Sequence, residues 1–433
     1  MWARVGPQDA HFERRAIAFD RIVVVGSNEQ GERYDVAIVG AGIIGSSLAM
    51  ALGERGVRAV AVDIDLSGRL SSSERNAGGV RATWWQPVNI VLCRASIDYY
   101  EQIASEVGFR QKGYLWLYDD QSWAGALSHL EVQHQYGHPI EELTPAEVAR
   151  RVPEIDRLEG IAGATFAPRD GLINPNLLKQ HYRIRSRELG ARYLERTFIN
   201  AIERQSDEVR LTCWQADGNL ADDGLMRLMA QDSREAEAET GRLFELRAGA
   251  VAICCGAWSP NLVKLVGIDT PTEAVRRQIC LVDSRVTNLA AYGMIVDTSG
   301  LYFHNDGPHI LAGYSPPEEP PGYSFKYDGE DFFLNEIWPR LFARMSCFER
   351  LRHVTGWAGL YAVTPDRSAI VGQLGPRLFE AHSFSGRGVM QSYGAGQALA
   401  DLIAKGAYEK LDAGALARDR FTTGKLIHEA LHI

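Results

Sequence analysis

The sequence predicts an α/β fold combined with a second, mainly antiparallel β sheet, and three observations support this fold class. Between residues 34 and 63 an apolar strand, a glycine-rich turn, a helix and a second strand follow one another. Between residues 277 and 314 short apolar strands alternate with turns, which is typical of an antiparallel sheet. A second glycine loop and helix follow at residues 385–405. We therefore expect two domains whose segments interleave along the chain.

The composition excludes several classes of protein. The chain has 433 residues, of which 45% are hydrophobic, enough for two or three domains with their own cores. A net charge of −9 argues against nucleic-acid binding, which concentrates Lys and Arg on one surface. The six cysteines show no C-x-x-C spacing, and Gly137 and Pro139 interrupt the spacing of His129, His134 and His138. We therefore expect neither disulfides nor a metal site.

The first 53 residues bear on location. Residues 1–33 form an N-terminal arm that mixes Asp, Glu and Arg and lacks the apolar stretch of a signal peptide, so a cytoplasmic location is expected. The uncharged run from Val36 to Gly53 approaches the length of a membrane span. Its four glycines and its change from strand-like to helical spacing favour a strand–helix corner instead. We therefore predict no membrane span.

The glycine turn predicts a dinucleotide site. Gly40, Gly42 and Gly45 stand in the G-x-G-x-x-G arrangement of a Rossmann-type unit. The first glycine permits the tight turn, the second lets a diphosphate approach the backbone, and the third lets the helix pack closely on the sheet. The phosphates are expected at the helix N-terminus, beside Ile43 and Ile44, because free N–H groups and the helix dipole favour negative charge there.

The strand that closes this unit, Ala59–Val62, ends at an acid, Asp63. A carboxylate at this position can accept hydrogen bonds from ribose hydroxyls, and it repels a 2′-phosphate. Asp63 and the following Ile64 are therefore candidates for cofactor binding, and NADP is not expected. The unit by itself does not decide between FAD and NAD.

Four further stretches favour FAD through a resemblance. They are Ser71–Arg81, Ile253–Ser259, Gly356–Tyr361 with Thr364–Asp366, and Phe384–Met390. In this order they resemble the FAD-dependent amine and amino-acid oxidoreductases of the D-amino-acid oxidase superfamily, in particular the branch containing sarcosine oxidase and dimethylglycine dehydrogenase. The resemblance covers about residues 34–407. It implies a Rossmann-type FAD-binding domain interleaved with a substrate domain built on a mainly antiparallel sheet.

The domains that follow from this resemblance are discontinuous. The FAD-binding domain is expected at residues 34–110, 150–275 and 355–415, and the substrate domain at 111–149 and 276–354. Residues 416–433 remain as a C-terminal tail. The stretch Ala216–Gly241, with seven acids and two arginines, is expected to be a surface insertion.

The resemblance also implies which residues hold FAD in addition to the glycine turn and Asp63–Ile64. These candidates are Ser72, Ser73, Asn76, Ala77, Gly78, Gly79, Phe198, Cys255, Gly256, Trp258, Gly359, Gly386, Arg387, Gly388, Val389 and Met390. Backbone N–H groups of the loop Ser385–Gly388 are expected to point at the flavin N1/O2 edge, where negative charge develops on reduction.

The chain departs from the family pattern at the positions that attach FAD and assist oxygen reduction. Gly359 stands where some members carry the cysteine that attaches FAD, and Ser71–Asn76, where others carry a histidine, contains none. Noncovalent FAD is therefore expected. Leu311 and Met390 replace lysines of the monomeric oxidases. Oxygen and an electron carrier both remain possible acceptors.

Five residues are candidates for the substrate site. Arg81 and Arg387 offer bidentate guanidinium groups for a substrate carboxylate, although a solvent-facing position or a flavin contact is equally compatible with the sequence. Tyr361 matches an active-site tyrosine of the sarcosine oxidase-like pattern. Tyr302 and His304 lie on a strand that can face the flavin ring, although packing alone also explains the tyrosine.

The preferred hypothesis is FAD-dependent oxidation of a secondary or N-substituted amino acid, such as sarcosine, dimethylglycine or an iminodiacetate-like diacid. Hydride transfer from the Cα–H to flavin N5 gives an imine, which water hydrolyses. Two alternatives stay open. A 2-hydroxy-acid dehydrogenase needs a base, with His304 or His382 as candidates, and a non-catalytic assembly protein would keep FAD as a structural element. The expected partner is a small amino-acid-like molecule, and the oligomeric state is left open.

Overall fold

The computed structural model describes residues 33–230, 241–284 and 287–429. Within these ranges the chain forms two eight-stranded sheets and one two-stranded sheet. The predicted N-terminal arm lies outside the described residues, apart from Arg33, which begins the first strand. Residues 430–433 of the predicted tail also lie outside them.

The first sheet has a parallel centre. Its strands, numbered in chain order, are β1 (Arg33–Val39), β2 (Ala59–Val62), β8 (Arg192–Leu194), β9 (Thr197–Arg204), β10 (Val209–Ala216), β11 (Gly241–Ile253), β17 (Ile370–Gly375) and β18 (Leu378–His382). The parallel strands lie in the order β18-β11-β1-β2-β8. Antiparallel strands continue this sheet: β17 pairs with β18, β10 pairs with the first half of β11, and β9 pairs with β10.

The second sheet is antiparallel except for one pair of strands. It contains β4 (Tyr114–Tyr118), β5 (Glu141–Leu143), β6 (Gly163–Ala167), β12 (Glu273–Asp283), β13 (Met294–Val296), β14 (Tyr302–Asp306), β15 (His309–Tyr314) and β16 (Arg352–Val363). The order is β16-β12-β15-β14-β13-β4-β6-β5, and only β13 and β4 run parallel. A small ribbon pairs β3 (Gly79–Val80) with β7 (Gly171–Leu172).

Twelve helices are found in the described residues. They are α1 (Ile43–Glu54), α2 (Pro87–Gln102), α3 (Ala104–Val107), α4 (Asp120–Gln135), α5 (Pro145–Arg151), α6 (Pro175–Glu188), α7 (Asp222–Met229), α8 (Ser259–Lys264), α9 (Glu330–Phe332), α10 (Trp338–Arg344), α11 (Gly388–Lys405) and α12 (Arg420–Thr423). A π-helical segment, Phe333–Ile337, joins α9 to α10. None of the helices in the described ranges is long and apolar enough to cross a membrane.

Glycines allow the helices on the first sheet to pack closely. A side chain at Gly394 of α11 would meet the Leu92 backbone of α2, and one at Gly396 would meet Ser47 of α1. Helix α1 packs against both α11 and α6, so the uncharged run that resembles a membrane span is buried between other elements. A separate apolar cluster, which includes Phe303, Ile337 and Phe348, lies on the second sheet.

The pairing of strands bears on two of the expected segments. Strand β6 and most of β16 lie within the ranges expected for the FAD-binding domain, and both pair in the second sheet. The expected surface insertion connects β10 to β11 as an antiparallel pair, and its described part forms α7. Leu225 and Leu228 of α7 are buried with Trp214 because the helix presents one apolar face, whereas residues 231–240 lie outside the described ranges.

Candidate active site

A large cavity lies where the parallel strands of the first sheet end. The space it encloses, open solvent at its mouth included, is about 1640 Å³. It reaches Val39 at the end of β1, Val62 at the end of β2, Cys254 after β11, and His382 at the end of β18. Residues of β12, β14 and β16 cover it from the second sheet. The carboxyl edge of a parallel sheet is the usual position for a nucleotide.

The turn after β1 has room only for glycine at two of its positions. Gly40 has φ +95°, and a side chain there would lie 2.7 Å from the Cys254 carbonyl oxygen. A side chain at Gly45 would meet the carbonyl of Gly40, so the third glycine lets α1 approach the turn. The N-cap residue of α1, Gly42, has no side chain that could cap the helix, and the first turn carries no acid. This helix end can therefore receive an anion.

Asp63 lines the cavity directly after β2. Its Oδ2 accepts a hydrogen bond of 2.7 Å from the Ala41 N–H, and its Oδ1 accepts one of 3.0 Å from the Asp65 N–H. Burial raises the pKa of Asp63, although these backbone bonds and Arg183 oppose the rise. Each oxygen keeps a lone pair, so the carboxylate can still accept ribose hydroxyls.

The loop between β2 and β3 connects the glycine turn to the second sheet. The Ser73 hydroxyl accepts from the Ile43 N–H at 3.0 Å, at the start of α1. Ser72 donates to the Leu360 carbonyl of β16 at 2.6 Å, and Arg75 donates to the Ala358 carbonyl at 2.8 Å. This loop thus forms one continuous wall from the glycine turn to β16 of the second sheet.

The far end of the cavity is lined by two tyrosines and an arginine. Tyr302 and Tyr361 are buried, and burial raises the pKa of both phenols. The Arg277 guanidinium lies 5.5 Å from the centre of the Tyr361 ring. Gly386 has φ +88°, and a side chain there would lie against the Tyr361 ring, so the loop before α11 can come this close only as glycine.

Most residues predicted to bind the cofactor line this cavity. They are Gly40, Gly42, Ile43, Ile44, Asp63, Ile64, Ser72, Ser73, Asn76, Ala77, Phe198, Cys255, Gly256, Trp258, Gly359, Gly386, Gly388 and Val389. Of the five substrate-site candidates, Tyr302 and Tyr361 line it as well. The structure therefore brings together residues that are more than 300 positions apart.

The other predicted residues do not line the cavity. They are Gly45, Gly78, Gly79, Arg81, His304, Arg387 and Met390. A side chain at Gly78 would meet the Ile173 carbonyl, and one at Gly79 would meet the Tyr114 hydroxyl, so these glycines allow close packing. Met390 is buried in the core of the first sheet's helices.

Arg81 and Arg387 are 1% exposed and stack on the same tryptophan. Their guanidinium carbons lie 3.5 Å and 4.5 Å from the centre of the Trp84 ring. Arg81 donates to the Thr83 carbonyl at 2.6 Å. The three guanidinium nitrogens of Arg387 have no hydrogen-bond partner within the described residues. Burial lowers the pKa of Arg387 to about 10, and the charge of Glu429 opposes this shift.

The two candidate histidines are both held by hydrogen bonds. The ring nitrogens of His304 each lie 3.0 Å from a backbone carbonyl oxygen, that of Asn305 or that of Ala77. Burial lowers the pKa of His304. His382 lines the cavity, but its Nε2 lies 3.0 Å from Glu380 and its Nδ1 lies 2.6 Å from the Ser383 hydroxyl.

Two further histidines, His129 and His138, contact other side chains. His129 stacks on Trp85 at 3.9 Å, and His138 is buried 3.1 Å from Asp170. Among the described residues no three potential metal ligands come together. The six cysteines are all free thiols.

Several residues that line the cavity were not predicted from the sequence. They are Lys179 and Arg183 of α6, Leu225 and Met229 of α7, and Arg277 of β12. A four-residue spacing, Pro175, Lys179 and Arg183, places the two cations on one face of α6. The spacing of Leu225, Leu228 and Met229 likewise marks an apolar helix face, which the many nearby acids obscured.

The glycine turn, the acid after β2 and the antiparallel sheet over the cavity are the features of a dinucleotide-binding protein. The chain matches the FAD dependent oxidoreductase family over residues 35–402, and it belongs to that family. It is therefore an FAD-dependent oxidoreductase. The resemblance to the D-amino-acid oxidase superfamily and the expected fold class are confirmed, and FAD is the cofactor. Noncovalent attachment stays a prediction.

Individual relatives agree with this assignment. The FAD-dependent oxidoreductase domain-containing protein 1 of Xenopus laevis is 28% identical over 428 residues, covering 90% of this chain and 83% of that protein. Glycine oxidase of Geobacillus kaustophilus is 24% identical over 385 residues, covering 86% and 93%. The crystal structure of L-proline dehydrogenase from P. horikoshii gives a TM-score of 0.77 at 23% identity, covering 91% of this chain and 99% of that chain.

Proposed function

We propose that the protein oxidises a secondary or N-substituted amino acid, such as sarcosine, dimethylglycine or an iminodiacetate-like diacid. The observation that carries this proposal is the far end of the cavity, where Arg277 lies beside Tyr302 and Tyr361. A guanidinium beside neutral phenols suits a ligand with a carboxylate and an uncharged amine. The substrates named for the similar glycine oxidase and L-proline dehydrogenase are amino acids, and proline is a secondary amine.

Arg277 is the arginine best placed to hold the carboxylate. It lines the cavity, and its buried Nε has no hydrogen-bond partner in the described part of the chain, while its Nη1 donates to the Arg276 carbonyl at 2.9 Å. Arg81 and Arg387 lie behind Tyr361, close enough for their charges to lower its pKa against the effect of burial. We propose that these two arginines strengthen the positive field, and that Arg81 also contributes to substrate binding.

The protein's part in the reaction is positioning and exclusion of water. When bound, FAD supplies the acceptor for the hydride from the substrate Cα–H. Arg277 fixes the carboxylate, and the aromatic rings of Tyr302 and Tyr361 confine the carbon next to it. Both phenols stay protonated at neutral pH and can donate hydrogen bonds. An uncharged amine needs no dedicated base for hydride transfer.

The positions of His304 and His382 disfavour a 2-hydroxy-acid dehydrogenase. That reaction needs a base that removes the hydroxyl proton. Both nitrogens of each ring already lie at hydrogen-bond distance from protein groups, and only His382 reaches the cavity. An assembly protein with structural FAD would require no particular role for these two histidines. Anaerobic photometry distinguishes this alternative from the two enzymes.

Anaerobic photometry of the FAD-loaded protein tests the proposal. We expect N-alkylglycines, proline or iminodiacetate to bleach the flavin absorbance within the time of turnover. Bleaching by 2-hydroxy acids and not by amino acids would favour the dehydrogenase alternative. No bleaching by either panel, with the flavin still reducible by dithionite, would favour the assembly protein.

The electron acceptor is tested with the same protein. Leu311 and Met390 are buried apolar residues where some relatives carry lysines, so neither supplies a cation that would favour reduced oxygen. We therefore expect reoxidation by an artificial dye to exceed reoxidation by oxygen at least tenfold. Rapid peroxide formation in air would contradict this expectation.

A further inference from the structure

We propose that Lys179 is the cation that neutralises the diphosphate of FAD, and that Glu74 holds Lys179 in place until the cofactor binds. The proposal depends on FAD as the cofactor and not on the identity of the amino-acid substrate.

Helix α6 runs along the cavity, and Lys179 and Arg183 line it. Pro175, Lys179 and Arg183 are four residues apart, so they follow one another on the same helix face. Pro175 does not line the cavity, but its Cδ would lie 3.7 Å from a Cβ placed at Gly78, which follows the cavity residue Ala77 at the end expected to hold the flavin. Arg183 interacts electrostatically with Asp63, at the ribose end. Lys179 therefore stands between the two ends, where a dinucleotide has its phosphates.

The two cations of this row differ in how they are held. Arg183 donates to the Leu66 carbonyl at 2.7 Å, to the Ala41 carbonyl, and to the Ser46 hydroxyl at 3.4 Å. These bonds fix it against the glycine turn. Lys179 is 5% exposed, and its ammonium is ion-paired with Glu74. Lys179 can therefore change partner without breaking the turn.

The carboxylate of Glu74 receives few stabilising contacts from the protein. Apart from the ion pair, its two buried carboxylate oxygens have no hydrogen-bond partner among the described residues. A buried carboxylate with so little support is costly to keep ionised, so its pair with Lys179 is easily exchanged for a better one. Glu74 belongs to the same loop as Ser73, which already occupies the Ile43 N–H at the start of α1. Diphosphate binding is therefore expected to change the contacts of both Ser73 and Glu74.

Charge balance in the cavity supports the exchange. The acids facing Lys179 are Asp63, Asp65 and Glu74, and the neighbouring cation is Arg183. Burial, and after it the charge of Arg183, lower the pKa of Lys179 to about 8. A diphosphate beside the ammonium favours the protonated form and raises this pKa again. FAD binding is therefore expected to take up a proton above pH 8 and to weaken as the pH rises further.

The test measures binding to the apoprotein without any amino acid. FAD affinity is measured by flavin fluorescence quenching between pH 6.5 and 9.5, and ADP and AMP affinities by calorimetry. We expect Lys179→Met to weaken FAD and ADP at least tenfold at pH 7, to affect AMP less, and to abolish the loss of affinity above pH 8. Lys179→Arg should retain the affinity without that pH dependence. Lys264→Met, an exposed lysine of α8, is the matched control.

Two outcomes would overturn the proposal. One is a folded Lys179→Met protein that binds FAD and ADP like the wild type at every pH. The other comes from Glu74→Gln, which removes the competing carboxylate and should strengthen FAD and ADP binding several-fold. A tenfold weakening in that variant would show that the ion pair itself builds the site. If Lys179→Met does not fold, Glu74→Gln and Lys179→Arg decide the question.

Discussion

At the scale of single residues, the cavity has the glycine turn at one end and Arg277, Tyr302 and Tyr361 at the other. The residues around the glycine turn are recognisable because a strand, a tight turn and a helix N-terminus impose residue types locally. Arg81 and Arg387 are recognisable as buried charges only in three dimensions, since spacing does not reveal on which side of a loop a side chain lies. Arg277 lies in an ordinary β strand, and only the pairing of β12 with β16 brings it beside Tyr361.

Arg277 and Arg81 make different predictions. Arg277→Met should raise the substrate dissociation constant about 100-fold, because a charge-assisted hydrogen bond is worth about 3 kcal/mol. Arg81→Ala should raise it about tenfold, because Arg81 does not line the cavity. Neither variant should change FAD affinity more than about twofold. Anaerobic substrate titration of the flavin spectrum measures both effects.

The exposed Arg350 provides the control for this series, as Arg350→Met. Unchanged substrate affinity in Arg81→Ala would remove Arg81 from the binding of the carboxylate. An effect of Arg81→Ala larger than that of Arg277→Met would place Arg81 in direct contact with the substrate.

At the scale of elements, local periodicity predicted the strand–helix–strand unit and the antiparallel strands, whereas long-range pairing was out of reach. Strand β6 pairs with β4 and β5, and β16 pairs with β12. No local sequence pattern identifies these pairing partners. Helix α7 was missed for a different reason. Its acids dominate the composition of the stretch, although Leu225 and Leu228 lie on one face.

Strand β18 carries a buried charge that makes stability depend on pH. Burial opposes ionisation of Glu380, but hydrogen bonds from Arg418 and His382 outweigh it and lower its pKa to about 2. The folded pKa is below the unfolded one, so this stabilisation is present above about pH 4.5 and is lost as the pH falls toward 2. The fall of the Glu380 pKa from the ordinary value of 4.5 to about 2 corresponds to about 3 kcal/mol of stabilisation.

Glu380→Gln should therefore lower the free energy of unfolding by about 3 kcal/mol at pH 6, with the deficit shrinking as the pH approaches 2. Urea denaturation at pH 6, 4 and 3 measures this. Glu142→Gln, at an exposed position of β5, should show no such pH dependence. A deficit of Glu380→Gln that stays constant over this range would mean that packing and not charge is responsible.

At the scale of the whole molecule, the C-terminal segment holds distant parts together. Arg420 and Asp366 form an ion pair of 2.7 Å, with side chains 3% and 0% exposed. Glu429 accepts hydrogen bonds from the backbone N–H groups of Trp85 and Gln86 at the start of α2. The sequence identified this segment only as a tail, because its partners lie in loops far away along the chain.

Arg420→Met should destabilise the protein by about 3 kcal/mol, because it leaves Asp366 buried without its counter-charge. Thermal and urea unfolding measure the effect, with Lys425→Met, an exposed lysine of the same segment, as control. Combining Arg420→Met with Asp366→Asn should recover part of the loss. A double variant less stable than the sum of both single changes would contradict this explanation.

The cavity wall is assembled from residues between Val39 and Val389, which has a consequence for biosynthesis. During translation the glycine turn leaves the ribosome early, but the loop that closes the flavin end emerges about 350 residues later. FAD is therefore expected to enter a chain whose synthesis has passed Val389. Nascent chains arrested before Ser385 should retain no flavin, whereas those arrested after α12 should retain it.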